Sequence, residues 1–226
     1  MLASVLHTDV ADKVSVNIMR AFVSMKKFFL LCISLCGLCP VAHAQGESAA
    51  ALDTIREYYA DSSLSRIYTV QKGASVREGV SLSFHPNGKL AVEAPYKGGK
   101  LDGVFKSYFE NGKPWQTVGY RGGIEEGIST TYFESGTKKS REVYHDGMLD
   151  GLAEEWDERG SIRRKLPYVK GHLHGVAKVF DELGGLKEEM TLQNGLRHGA
   201  YRRYNKGVKV LEAEFERNRC IKNCDF

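Results

Sequence analysis

The chain has 226 residues, of which 42% are hydrophobic and 27% charged, and its formal net charge is +4 at pH 7. These values are typical of a soluble folded protein, and 24 glycines with only 5 prolines indicate many turns but exclude a collagen-like chain. Residues 1–44 hold four of the 32 basic and two of the 28 acidic residues, so the remainder carries a net charge of +2. Its charges are interspersed, which argues against a nucleic-acid partner.

Residues 25–44 have the layout of a secretory signal peptide. Lys26 and Lys27 precede an apolar run of 12 residues, 28–39, and Ala42-His43-Ala44 then offers a small-x-small cleavage site. The run is too short to span a membrane. The pattern predicts cleavage after Ala44 and export to the periplasm, to the outer membrane or out of the cell. Residues 1–24 are either a non-native upstream extension, with Met25 as the true start, or a long n-region.

Residues 45–78 differ from residues 79–216 and are predicted to cap a repeat array. The alanine-rich stretch 46–60 is expected to form a short helix or to stay loose, and 67–71 reads as a lone strand. Terminal repeats must cover an open end of an array and are usually atypical.

Residues 79–216 carry a 24-residue repeat, marked by a glycine that we number position 0 of each unit. These glycines are Gly79, Gly103, Gly127, Gly151, Gly175 and Gly199. Position 1 is aliphatic, and position 5 is aromatic in every copy: Phe84, Tyr108, Tyr132, Trp156, Phe180 and Tyr204. Position 17 carries Tyr96, Tyr120, Tyr144, Tyr168 and Leu192, with Phe215 in the shortened last copy. The period predicts six repeats over 79–216 and a tail over 217–226.

Each unit reads as a β-hairpin. Residues 103–109 and 114–120 are rich in strand-favouring residues, Asn111-Gly112 favours a tight turn, and 121–127 is a return loop. A helix is excluded, because glycine every nine to eleven residues would cost about 1 kcal/mol each. The sequence therefore predicts an all-β fold, an elongated single-layer antiparallel meander of tandem hairpins.

The turn length decides which side chains share a face. A three-residue turn with a glycine bulge pairs Tyr108 with Pro114 and predicts that Tyr108 and Tyr120 lie on one face. We favour this register because it gathers the aromatic side chains into one ladder across all hairpins. The ladder is expected mainly to stabilise packing between repeats, and its exposed part to form an aromatic groove for an extended partner.

The unit Gly79-Val80, Phe84-His85-Pro86-Asn87-Gly88-Lys89 and Tyr96-Lys97-Gly98-Gly99-Lys100-Leu101-Asp102-Gly103 resembles the MORN-repeat variant of bacterial antitoxin-type proteins. The resemblance covers about residues 66–216. It implies an elongated antiparallel meander that serves as an interaction scaffold. In eukaryotic relatives such arrays are proposed to contact membranes.

Candidate reactive groups are few. His172, His174 and His198 are the most noticeable. His174 and His198 share one repeat position, two strands or about 10 Å apart, so sharing a zinc would need a long reach and a third ligand. No metal, cofactor, catalytic residue or small-molecule substrate is predicted. Cys220 and Cys224 are expected to form a disulfide, with free thiols or half of a metal site as the alternatives.

These features favour an exported, non-catalytic scaffold that binds a protein, whose identity the sequence leaves unknown. One alternative is a membrane-surface or lipid-binding module, which the near-neutral charge of residues 45–226 disfavours. Another is an antitoxin or immunity-like partner of a toxin.

Overall fold

The computed structural model describes residues 51–224, which form 18 β-strands and no helix. The strands are β1 (Leu52–Tyr58), β2 (Leu64–Gln71), β3 (Gly79–Phe84), β4 (Leu90–Lys97), β5 (Lys100–Leu101), β6 (Gly103–Tyr108), β7 (Pro114–Arg121), β8 (Ile124–Tyr132), β9 (Lys138–His145), β10 (Met148–Leu149), β11 (Gly151–Trp156), β12 (Ile162–Val169), β13 (His172–Leu173), β14 (Gly175–Phe180), β15 (Leu186–Gln193), β16 (Leu196–Asn205), β17 (Val208–Glu216) and β18 (Arg219–Lys222). Within these residues, no helix is long and apolar enough to cross a membrane.

The strands form one open antiparallel sheet in chain order, as the sequence predicted. The short strands β5, β10 and β13 pair with the strand before them, and β6, β11 and β14 then continue along that same strand. In the third and sixth repeats the two segments are not separated, and a single continuous strand, β8 or β16, takes their place. The segments predicted as return loops are therefore largely part of the sheet.

The hairpin of the second repeat shows how the sequence sets the register. The N–H of Phe109 donates to the carbonyl of Lys113 (2.9 Å), and the N–H of Gly112 donates back to Phe109 (2.8 Å). Gly112 has a φ of 89°, which glycine adopts at little cost. Tyr108 pairs with Pro114, as predicted.

The glycine at position 0 lies under a side chain of the preceding strand. A Cβ on Gly103 would lie 3.0 Å from Cγ of Pro95, and one on Gly151 would lie 2.9 Å from Cβ of Val143. Gly127 has no such neighbour within 4 Å, because position 16 of the second repeat is itself a glycine, Gly119. There the backbones approach instead, and a Cβ on Gly119 would overlap the carbonyl oxygen of Glu126.

Residues 46–60 were expected to form a short helix or to stay loose; 46–50 lie outside the described residues, and for 52–58 both expectations are wrong. Residues 52–58 form β1, which pairs along its whole length with β2, so 67–71 is not a lone strand either. The β1–β2 ladder satisfies more backbone hydrogen bonds here than an isolated helical turn would, and local alanine content does not outweigh that gain.

The two faces of the sheet differ in burial. Cross-strand pairs such as Phe105 with Val118, and Gly103 with Tyr120, place positions 2, 4, 13, 15 and 17 on one face, which we call the tyrosine face. Of the eleven buried residues among 51–224, ten lie on this face and only Thr130 lies on the other. Small and large side chains oppose one another there, as Ala153 does Leu166 and Ala177 does Met190. The tyrosine face is therefore the packed side of the sheet.

Candidate interaction surface

The aromatic ladder is split between the two faces, so the single-face prediction is wrong. Ser107 pairs with Gln116 and Gly103 with Tyr120, which puts Tyr120 on the face of Ser107. Tyr108 comes directly after Ser107 and points to the opposite face. The register shifts between Ser107 and Tyr108, because Trp115 is an extra residue in β7. The bulge at Trp115 comes in addition to the glycine bulge of the turn. It reverses the alternation of side chains between the two faces that the turn alone would impose on β7.

The rings at position 17 are packed on the tyrosine face. Tyr120 meets Phe105 edge to face, with ring centroids 6.4 Å apart, and Phe215 meets Tyr201 in the same way at 6.1 Å. The hydroxyl of Tyr144 donates to Glu142 (3.1 Å). Burial, together with the neighbouring charge of Glu142, raises the pKa of Tyr144 to about 12. These contacts indicate that the row serves packing.

The rings at position 5 lie on the opposite face and are half-buried, so they do not form the exposed groove that the sequence predicted. The Nζ of Lys138 lies 5.3 Å from the ring centre of Trp156, where the cation covers the ring. Burial and the charge of Glu93 raise the pKa of Tyr108. These rings therefore also contact their neighbours in the sheet.

Exposed aliphatic side chains also lie on this second face. Position 1 carries Val104, Ile128, Leu152 and Val176, which are 52%, 51%, 37% and 44% exposed. Pairing with position 16 places them on the face opposite Tyr120. Successive members lie two strands, or roughly 10 Å, apart. We call these four residues the aliphatic row and their side of the sheet the aliphatic face.

A lane of ion pairs runs beside the aliphatic row. Glu154 lies 3.9 Å from Nη1 of Arg141 and 3.3 Å from Nζ of Lys165. The same arrangement recurs in Glu93 with Lys106, in Glu189 with Lys178 and Arg202, and in Glu212 with Arg202 and Lys209. Hydrogen bonds from Lys209 and then Arg202 lower the pKa of Glu212 to about 2. Exposed pairs contribute little stability, and in these pairs six cations share four carboxylates.

The turn edge is held by side chains that reach the next repeat. Nδ2 of Asn87 donates to the carbonyl of Glu110 (3.0 Å), and Nδ2 of Asn111 donates to that of Glu134 (3.2 Å). The asparagine of the Asn-Gly turn thus links repeats as well as forming the turn.

At the same edge, a shallow cleft of about 510 Å³ lies between the fourth and fifth repeats, lined by ten residues that include Asp157, Arg163, Asp181 and Lys187. Nη1 of Arg163 is buried there without a hydrogen-bond partner.

At the loop edge, Glu126, His145 and Asp146 bring ligand-type atoms within 4.8 Å. Glu126 accepts hydrogen bonds from the Asp146 N–H (3.0 Å) and from Nδ1 of His145 (3.2 Å), and Arg121 lies 3.5 Å away. These contacts, the Asp146 N–H first, lower the pKa of Glu126. The guanidinium beside it disfavours a metal ion, so we interpret the cluster as a clamp for the loop.

Among residues 51–224, His172, His174 and His198 do not enter such a group. Cys220 and Cys224 are joined by a disulfide, with S–S 2.05 Å.

Comparison with known families matches four stretches of the chain to the MORN repeat variant, residues 77–97, 101–121, 149–170 and 173–194. The unmatched third and sixth repeats are those in which β8 and β16 are continuous. MORN repeats are non-catalytic modules that generally bind proteins or membranes. No curated protein matches the chain.

Proposed function

We propose that this protein is an exported, non-catalytic repeat scaffold, and that its aliphatic face binds a protein partner at the cell envelope or outside the cell. The observation that carries this proposal is the aliphatic row. Four side chains, Val104, Ile128, Leu152 and Val176, stay between 37% and 52% exposed in the middle of an ordered sheet. An aligned apolar row on a rigid surface is typical of an interaction site.

The surroundings of the row favour a protein over an anionic membrane. Anionic lipid headgroups attract unpaired lysine and arginine, each by about 1 kcal/mol. On the aliphatic face, the cations Arg141, Lys165 and Arg202 each have a carboxylate within 4 Å, with Arg141 and Lys165 sharing Glu154. An apolar centre with paired charges beside it is common at protein interfaces.

The non-catalytic assignment is supported by the structural hydrogen bonds that three of the glutamates make. Glu142 and Glu125 accept hydrogen bonds from tyrosines, and Glu126 holds a loop. Each of these groups has a structural partner that accounts for its position.

The binding proposal is tested by crosslinking from defined positions. A photoreactive residue at Ile128 is expected to capture one protein from the native envelope, and Leu152→Lys should reduce that capture at least tenfold. Because Leu152 is an exposed side chain, its substitution should change the free energy of unfolding by about 1 kcal/mol at most.

The control positions lie away from the aliphatic row. Leu183 is 96% exposed and lies in the turn of the fifth repeat, away from the aliphatic row. A photoreactive residue there should therefore give no adduct, and Leu183→Lys should leave capture from Ile128 unchanged. Equal capture from both positions would contradict the proposal. Sedimentation with anionic vesicles that Leu152→Lys abolishes would favour the lipid-binding alternative.

Export is a separate part of the proposal, because residues 25–44 lie outside the described part of the chain. N-terminal sequencing of protein isolated from its native cell is expected to begin at or near Gln45. Recovery of an intact chain from the cytoplasm would refute export while leaving the binding surface in place.

A further inference from the structure

The aliphatic face carries a second row of exposed apolar side chains, nearer the loop edge of the sheet. Position 16 pairs with position 1, as Val143 does with Ile128, and position 18 pairs with position 21, as His145 does with Met148. Positions 16 and 18 are two residues apart on one strand, so all four positions lie on the aliphatic face. The exposed apolar side chains at positions 18 and 21 form what we call the loop row, and they are 41% to 53% exposed: Ile124, Met148, Val169 and Leu196.

The aliphatic row and the loop row lie side by side. Two residues of a strand span about 7 Å, which is therefore the distance between the rows. Along each row, equivalent positions recur every two strands, at roughly 10 Å. Over the middle of the sheet the rows form a surface two side chains wide and about 20 Å long. We call it the apolar strip: Ile124, Ile128, Met148, Leu152, Val169 and Val176.

The dimensions of the apolar strip match those of an α-helix. Residues seven apart in a helix lie about 10.5 Å apart along one side, and apolar residues at the a and d positions of a heptad form two adjacent rows. An extended strand presents one face at intervals of about 7 Å and 13 Å, so it falls out of step with the strip. A polyproline II segment repeats at about 9.3 Å, but it presents a single row to a surface and leaves the other row of the strip uncovered.

We propose that the apolar strip binds an amphipathic α-helix of the protein partner, which lies across the strands with its a and d residues on the two rows and acidic residues on its flank. This inference rests on the proposed function, in which the aliphatic face binds a protein, and it names the segment that binds. The acidic flank is inferred from the lane of ion pairs beside the strip, where six cations share four carboxylates. Charge complementarity of this kind speeds encounter and fixes the orientation of the bound segment.

The first test uses the strip as a ruler. A photoreactive residue is placed at Ile128 or at Val176 of the full chain, and the partner residue that each position captures is located by mass spectrometry. The two positions are four strands, or about 20 Å, apart, so a helix should be captured at residues about 13 apart in its sequence. An extended or polyproline II segment would be captured at residues about 6 apart, which would overturn the proposal.

The other outcomes of this test separate the helix from the proposed function. Capture at the shorter spacing would refute only the helix and leave protein binding in place. No adduct from either position would refute binding at the aliphatic face itself. Adducts to residues 45–50 of the same chain, or to a second copy of it, would overturn both, because the strip would then be occupied by this protein.

The second test asks whether the bound segment covers both rows. Met148→Lys should reduce capture from Ile128 roughly tenfold, because a helix on the strip would bury the loop row and the new charge with it. Met148 is exposed in the free protein, so the melting temperature should not change. Leu183→Lys is the matched control and should leave capture unchanged. Capture that falls with Leu152→Lys but not with Met148→Lys would reveal a single-row occupant and overturn the helix.

The third test determines the sign of the charge on the partner. Arg141 and Lys165 share Glu154, so Glu154→Gln makes the lane beside the strip more cationic. At low ionic strength this substitution should raise capture from Ile128 about twofold, and Arg141→Gln should lower it. Both effects should disappear at about 0.5 M salt, which screens interactions between exposed charges. Effects of the opposite sign, or none at low ionic strength, would overturn the acidic flank.

Discussion

Replacing Gly119 with valine should lower the free energy of unfolding by about 3 kcal/mol. Gly119 lies in the centre of β7, and a Cβ there would overlap the carbonyl oxygen of Glu126 in the adjoining strand. The backbone of Glu126 cannot rotate aside as a flexible side chain can. The hydrogen bonds between β7 and β8 must therefore break locally to make room for the valine. In a domain of this size the melting temperature should fall by roughly 10 °C. Thermal and urea unfolding followed by circular dichroism measure both quantities.

Thr191 provides the matched control. It occupies position 16 of the fifth repeat, as Gly119 does in the second, but there the chain already holds a branched side chain against Gly199. Thr191→Val should change stability by less than about 1 kcal/mol. Equal losses from Gly119→Val and Thr191→Val would show that the close backbone approach is not what requires glycine at position 119.

Deletion of residues 127–150 should give a protein that still folds as a sheet, whereas deletion of 127–138 should not. The first deletion removes a whole unit and joins Glu126 to Gly151, so β7 can take β11 as its new antiparallel neighbour. The second removes most of β8 and leaves β9 next to β7, with which it runs parallel. A parallel connection needs a crossover of a dozen or more residues, and the return loop is far shorter.

The two deletions differ in what can be measured. The 24-residue deletion should retain the strand signature in circular dichroism and a single cooperative melt, because each repeat is stabilised mainly by its nearest neighbours. The 12-residue deletion should lose cooperative melting and broaden the amide spectrum. Similar damage from both deletions would mean that the 24-residue period is not the structural unit.

The hairpin repeat was accessible from the sequence because its determinants are local. Gly112 is required by the turn, and the pairing of Tyr108 with Pro114 results from the three-residue turn that Asn111-Gly112 favours. The same glycine and aromatic positions recur every 24 residues, so a strand or turn that is ambiguous in one unit can be assigned by comparison with the others. Short connections allow only neighbouring strands to pair, and this requires a single-layer antiparallel topology.

The candidate interaction surface was harder to predict from the sequence than the hairpin repeat. The sequence singled out the aromatic rings, which are the largest apolar groups, yet the structure leaves the aliphatic residues Val104 and Ile128 more exposed than any ring of the ladder. Composition indicates which side chains are apolar, but exposure depends on which neighbouring strands cover them.

By itself, the sequence determined the repeat length, the turns, the strand pairing within each hairpin and the requirement for glycine at position 0. Only the tertiary structure decided which face each aromatic row occupies, because one extra residue at Trp115 reverses the alternation and that bulge depends on hydrogen bonds to the facing strand. It also decided that residues 52–58 form a strand and that a side chain at Gly119 would overlap the carbonyl oxygen of Glu126. In each case the deciding contact is made between paired strands, and its detailed geometry is not specified by the residue pattern of either strand alone.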